Sequence, residues 1–173
     1  MNLKKVIREI PDFPKPGIVF RDITTLIAEP AALSSVISRM SDFCREQRAT
    51  HLAAVESRGF IFAGAVAEKL KLPLVLIRKA GKLPAATVGE SYDLEYGSAT
   101  IEVHEDSLKA GDRVVIVDDL LATGGTARAT VNLVEKLGAT VVGLAFVIEL
   151  SFLPGREKLK GYDILALVDY DSE

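Results

Sequence analysis

The segment Val114–Ala127, VVIVDDLLATGGTA, opens with an unbroken apolar run, as a strand covered on both faces does. The run ends in two carboxylates, Asp118 and Asp119. Ala122, Thr123, Gly124, Gly125 and Thr126 follow and open a helix. Small residues at a helix start let backbone N–H groups approach an anion closely, and the helix end adds partial positive charge. Thr123 and Thr126 add hydroxyl donors. The pattern is a cradle for one phosphate. It is not a Walker loop, because no Lys-Ser/Thr follows the glycines, and the G-x-G-x-x-G spacing of dinucleotide sites is absent. An ionised carboxylate only accepts hydrogen bonds, and sugar hydroxyls donate them. Phosphate donors beside such acceptors describe a pocket for a ribose 5-phosphate. A plain strand–helix turn with a capping threonine is the bland alternative. Successive strand residues point to opposite faces, so Asp118 and Asp119 are expected to share one sugar only if the strand has already turned there.

Outward from this segment the chain alternates strand and helix. Residues 2–9 suggest a short helix. Three prolines at 11–16 then forbid one and leave an extended loop, with Ile18–Phe20 as an extended piece. Pro30 suits the first turn of a helix to about Gln47, with Leu33, Val36, Ile37, Met40 and Cys44 at helical spacing. Leu52–Val55 and Leu74–Ile77 are short apolar strands around a helix at about 60–71. Residues 79–98 are glycine-rich and polar, and read as a loop. Ile101 and Val103 alternate with Glu102 and His104, as in a half-exposed strand. A helix at 126–137 stops at Gly138. A strand at 141–148, a short helix near 155–160 and a strand near 162–168 follow. Such alternation predicts an α/β domain with a mostly parallel sheet, and the 173 residues suit a single domain.

Hydrophobic residues make up 49% of the chain and charged residues 26%, enough apolar material for a core. A net charge of −3 lacks the basic footprint of a nucleic-acid binder. Met1–Ile10 holds no signal-peptide core, and no apolar window is long enough to span a bilayer. The lone cysteine, Cys44, falls on the apolar side of a helix and reads as a structural thiol in a reducing compartment. A cytoplasmic protein without membrane or nucleic-acid partners is expected. No Cys/His cluster suggests a metal site, and His51 and His104 are far apart in the chain.

Four further segments carry chemistry. Glu56-Ser57-Arg58-Gly59 follows a buried strand, and a loop closing on the planar fork of Arg58 suits a second anion. Arg78, Lys79 and Lys82 read as a solvated charge run or, beside pyrophosphate, as cations that offset charge on a leaving group. Tyr92-Asp93-Leu94-Glu95-Tyr96-Gly97 reads as an exposed hairpin strand or as part of a lid. Val19-Phe20-Arg21 follows the proline loop, and Phe20 alone reads more readily as core.

VVIVDDLLATGGTA resembles the PRPP-binding motif of the type I phosphoribosyltransferases. PDFPKPGIVFRDIT at 11–24, ESRGFIF at 56–62, IRKAGKLP at 77–84 and YDLEYG at 92–97 resemble the adenine-specific members of that family, in order and over nearly the whole chain. The resemblance implies the type I phosphoribosyltransferase fold, with a hood mainly from the first 30 or so residues and a flexible lid at about 79–98. It implies transfer of the phosphoribosyl group from PRPP to adenine, giving AMP and pyrophosphate, by a homodimer. Asp118, Asp119 and Ala122–Thr126 would bind the ribose 5-phosphate. Ser57, Arg58, Arg78, Lys79 and Lys82 would bind pyrophosphate, with a non-proline cis peptide near Ser57 and a basic residue reaching the neighbouring subunit's site. Backbone groups of Val19, Phe20 and Arg21, with Leu120 on the other side, would hold adenine, and Glu95 would hydrogen-bond or protonate the base. Mg²⁺ would ride on substrate oxygens rather than in a protein cage. An oxopurine-specific transferase and a PRPP-sensing regulator of the same fold are the rival expectations.

Overall fold

The structure is a computed structural model that describes residues 1–94 and 96–173. After a single 3₁₀ turn at Leu3–Lys5, β1 (Arg8–Ile10) pairs antiparallel with β2 (Phe20–Asp22). There follow α1 (Thr24–Ala28), α2 (Pro30–Glu46), β3 (His51–Val55), α3 (Gly59–Leu70), β4 (Leu74–Lys79), β5 (Thr87–Asp93) and β6 (Ser98–His104). The chain continues through β7 (Arg113–Leu121), α4 (Gly125–Lys136), β8 (Thr140–Leu150), α5 (Gly155–Lys158) and β9 (Ile164–Tyr170). The main sheet has seven strands in the order β5-β6-β4-β3-β7-β8-β9. From β4 to β9 neighbouring strands run parallel, and β6 and β5 extend the β4 edge as an antiparallel hairpin.

The alternation of side chains along the central strands builds two cores. Leu52, Ala54, Val115 and Val117 face α2 and α3, where they meet Val36, Met40, Phe62 and Val66. Ala53, Val55, Val114 and Ile116 face the other way, onto Val131, Leu133 and Val134 of α4. Burial on both faces explains why β7 carries no polar residue between Arg113 and Asp118. Helix α2 begins at Pro30, whose missing N–H costs nothing at that position, and the Glu29 side chain accepts from the Ala31 N–H. It buries Ala32, Val36, Met40 and Cys44. Burial pushes the Cys44 thiol up to about 12, so it is an inert packing residue.

Two local expectations are corrected. Residues 2–9 are helical only in the 3₁₀ turn at Leu3–Lys5: Arg8–Ile10 is drawn into pairing with β2, and Arg8 holds Asp22 through its Nε at 2.9 Å. The segment 79–98 is not a continuous loop. Thr87–Asp93 pairs residue for residue with Ser98–His104, a non-local partnership that overrides its polar, glycine-bearing composition.

Helix α3 returns the chain to β4 on one side of β3, and α4 carries it to β8 on the other side of β7. The helices cover opposite faces, so the carboxyl ends of β3 and β7 flank a crevice where the winding reverses. Ligands of open α/β sheets bind in such a crevice.

Core packing leaves little slack on β8. A Cβ at Gly143 would lie 2.7 Å from Phe43 Cζ of α2. Gly143→Ala is therefore expected to cost about 1–3 kcal/mol by overpacking. At roughly 2–4 °C per kcal/mol, thermal unfolding should show a melting temperature several degrees lower.

Candidate active site

At that crevice lies a cavity of about 430 Å³. Val55 to Arg58 line one wall, Lys79 another, and Asp118 to Ala127 the remainder. Of the residues singled out in the sequence, Ser57, Arg58, Lys79, Asp118, Asp119, Leu120 and Ala122–Thr126 are thus brought together. Arg58 and Asp118 are 60 positions apart in the chain, and their segments meet because β3 and β7 are neighbours.

The acids do not sit where the strand turns. β7 keeps its pairing with β8 through Asp118, Leu120 and Leu121. Both acids still line the cavity, because it caps the sheet's end and is open to residues from either face. Asp118 Oδ1 accepts from the Asp119 N–H at 2.9 Å, and Asp119 Oδ2 accepts from Arg58 Nε at 2.5 Å. Asp118 owes its position to a glycine. A Cβ at Gly59 would stand 2.9 Å from Asp118 Oδ1 and 3.1 Å from the Val117 carbonyl, so only glycine lets α3 start against the end of β7. Burial first, and the neighbouring Asp119 charge second, hold the Asp118 carboxyl well above the usual carboxylate range, with Arg58 pulling the other way.

The peptide bond Glu56–Ser57 is cis, as expected near Ser57. The Glu56 carboxylate accepts from the Lys79 N–H at 2.8 Å and lies 3.4 Å from Arg78 Nε. The backbone bond, and then the Arg78 charge, hold this carboxyl below its ordinary value. Arg78 is turned toward Glu56 and the Lys82 carbonyl, so Lys79 alone of the three basic residues lines the cavity.

Behind the Ala122–Thr126 loop stands a support that sequence reading missed. Gly124, with φ +81°, caps α4, and a Cβ there would meet the Gly155 carbonyl oxygen at 2.8 Å. A Cβ at Gly155 would in turn lie 2.3 Å from the Ala122 carbonyl oxygen. The short α5 is held by Arg156, whose Nε and Nη2 grip the buried Glu149 at 2.8 and 2.5 Å. The only sequence signal was Pro154-Gly155 opening a turn, which says nothing about what the glycine touches. On the cavity side, the first N–H groups of α4 have no partners within the helix and are available to an anion.

Val19, Phe20 and Arg21 are not among the residues lining this cavity. The Val19 N–H donates to Glu173 Oε2 at 3.1 Å, and Phe20 meets Phe13 edge to face at 5.2 Å. The Arg21 guanidinium pairs with Glu9 at 2.8 Å and stacks over the Tyr170 ring at 4.0 Å. Glu95 lies outside the described residues. Among those described, no group of three or more His, Cys, Asp or Glu side chains is placed to hold a metal ion, and no helix is long and apolar enough to cross a membrane.

A carboxyl whose pKa is higher folded than unfolded binds more protons in the folded state. Stability is then lost as pH rises from about 4 toward the folded value. Asp118→Asn removes this penalty while keeping an oxygen for the Asp119 N–H. The ligand-free variant should melt at least ~2 °C above the parent at pH 7, with the gap closing toward pH 4.

The phosphoribosyl transferase domain pattern matches residues 23–164. The adenine phosphoribosyltransferase of Carboxydothermus hydrogenoformans is 55% identical over 170 residues, covering 98% of this chain and all of that one. That of Solibacter usitatus is 52% identical, covering 98% of each chain. The crystal structure of the Thermoanaerobacter pseudethanolicus adenine phosphoribosyltransferase superposes with a TM-score of 0.93 at 48% identity, over 97% of this chain and 98% of that one. The Saccharomyces cerevisiae enzyme, solved with adenine and an imino-altritol bisphosphate, superposes with a TM-score of 0.91 at 37% identity, over 95% and 96%. With a sheet-end cavity built from the same motif, the chain belongs to the phosphoribosyltransferase family, in its adenine phosphoribosyltransferase branch.

Proposed function

We infer that this chain transfers the 5-phosphoribosyl group of PRPP to adenine, forming AMP and releasing pyrophosphate. The observation that carries the reading is one cavity with a phosphate cradle at Ala122–Thr126, two carboxylates at its rim and a second cationic loop at Ser57–Arg58 opposite. A sugar phosphate bearing a diphosphate needs those three features side by side.

In this reading the N–H groups and hydroxyls of Ala122–Thr126 hold the 5-phosphate. Asp118 and Asp119 accept from the ribose hydroxyls, which replaces the water that Asp118 loses by burial. Ser57, Arg58 and Lys79 receive the pyrophosphate. The C1–O bond breaks largely before the base attacks, and the developing sugar cation faces a site already fixed in its charges. Positioning and electrostatics carry the rate, so no nucleophile is required of the protein. Val19–Arg21 would offer backbone groups to adenine once a ligand draws the N-terminal hood over the cavity, with Leu120 packing beneath and Glu95 of the lid against the base.

The donor set fits Mg²⁺. Hard carboxylate oxygens at an open cavity suit an ion that keeps waters and leans on substrate oxygens. When bound, the ion neutralises charge on the departing pyrophosphate. A homodimer is proposed as well. Ile61 on α3 and Leu76 on β4 are each 43% exposed, and a second copy covering them would bring a basic residue of the Arg78–Lys82 segment toward the neighbouring site. The single cysteine is buried and unpaired, which suits the cytoplasm.

Incubation with PRPP, Mg²⁺ and each purine base in turn should yield AMP from adenine alone. IMP, GMP or XMP would keep the PRPP site and overturn the base assignment, and PRPP binding without any nucleotide product would point to a sensor. A Cβ at Gly125 would enter a 3.3 Å contact with Tyr92 Cδ2 at the mouth of the cradle. Gly125→Val should therefore raise the KM for PRPP at least ~10-fold, a loss of about 1.4 kcal/mol of binding, with the KM for adenine little changed.

A further inference from the structure

The hairpin of β5 and β6 is docked on α4 along one face. Val88, Glu90 and Tyr92 alternate toward the helix, while Gly89, Ser91 and Asp93 are exposed. Glu90 is gripped by Asn132 Nδ2 at 2.9 Å and by Lys136 in an ion pair. Two residues further on, Tyr92 lays its ring against Gly125 and reaches the helix start. There the Thr126 hydroxyl donates to Tyr92 Oη at 3.0 Å. Thr126 is a residue of the phosphate cradle, and its one hydroxyl proton is spent on Tyr92 in the ligand-free protein.

A phosphate in the cradle accepts hydrogen bonds and cannot donate them when fully ionised. It therefore draws the Thr126 proton to itself. The Thr126 oxygen, with lone pairs now free toward the hairpin, can accept from the Tyr92 hydroxyl. We propose that Tyr92 is a positioning residue for the 5-phosphate: its hydroxyl changes from acceptor to donor as the anion binds, so that Tyr92, Thr126 and phosphate form one chain of hydrogen bonds. Donation into Thr126 polarises its hydroxyl and strengthens the bond it gives the phosphate. The anchor is stiff, because Glu90 fixes β5 on α4 one step along the same face. This inference rests on the reading of Ala122–Thr126 as the 5-phosphate cradle.

Tyr92→Phe keeps the ring against Gly125 and removes only the hydroxyl. It should raise the KM for PRPP and the Kd for ribose 5-phosphate by about 1.5- to 4-fold, because one Tyr92–Thr126 bond is present with or without the phosphate and only the cooperative strengthening is lost. The kcat and the KM for adenine should stay at parental values, a split that a merely structural role would not give. Thr126→Val should cost more, and adding Tyr92→Phe to it should cost nothing further, because the relay is already cut. An unchanged ribose 5-phosphate affinity in Tyr92→Phe, or losses that multiply in the double variant, would overturn the relay. Absence of AMP from the parent protein would count against the transferase reading instead, while the ribose 5-phosphate titration would still decide the relay.

Discussion

β3 and β7 run parallel, in register from His51 opposite Val114 to Ala54 opposite Val117, and the site exists because of that pairing. It brings the loop after β3, with Ser57 and Arg58, against the acids at the end of β7. The two strands send their following helices to opposite faces, so nothing fills the space between their carboxyl ends. Arg58 and Asp119 bridge that gap at 2.5 Å. Loss of the pairing would separate the Ser57–Arg58 loop from the Ala122–Thr126 loop, which line one cavity only together.

Missing side chains shape the site as much as those present. Gly59 lets α3 start against Asp118, and Gly124 and Gly155 let α5 press its backbone into the back of the Ala122–Thr126 loop. At each position an added Cβ would stand under 3.0 Å from a neighbouring atom, closer than van der Waals packing permits. The loop is thus braced from behind by a helix of only four residues, itself secured by the Glu149–Arg156 fork. A preorganised cradle spends little of its binding free energy on ordering the protein, which suits chemistry that depends on electrostatic stabilisation.

Asp118 is strained electrostatically rather than sterically. Burial and the Asp119 charge both disfavour its ionised form, and the Asp119 N–H and then Arg58 offset them only in part. Natural sites accept such costs where a ligand later supplies the missing partners. The hairpin gives the opposite case: Glu90 is held by two donors from α4, so the strand carrying Tyr92 is fixed before any ligand arrives.

The α/β alternation, and the choice of Arg58, the acid pair and Ala122–Thr126 as residues that share a cavity, were legible in the chain. Each rests on local rules: apolar runs for buried strands, small residues at a helix start, and carboxylates where a buried strand ends. What local rules cannot supply is partnership. Residues 8–10 and 87–93 became strands only because β2 and β6 were available to pair with them, and neither partner is visible from composition within the window. The use of Gly155 as a brace and of Tyr92 as a contact to Thr126 depends on segments more than 30 residues apart meeting at one helix start. Sequence by itself determined the chemistry on offer, because residue type sets charge, donor capacity and backbone freedom. Tertiary structure decided which of those groups share a cavity, because distance in space follows strand order in the sheet and not position in the chain.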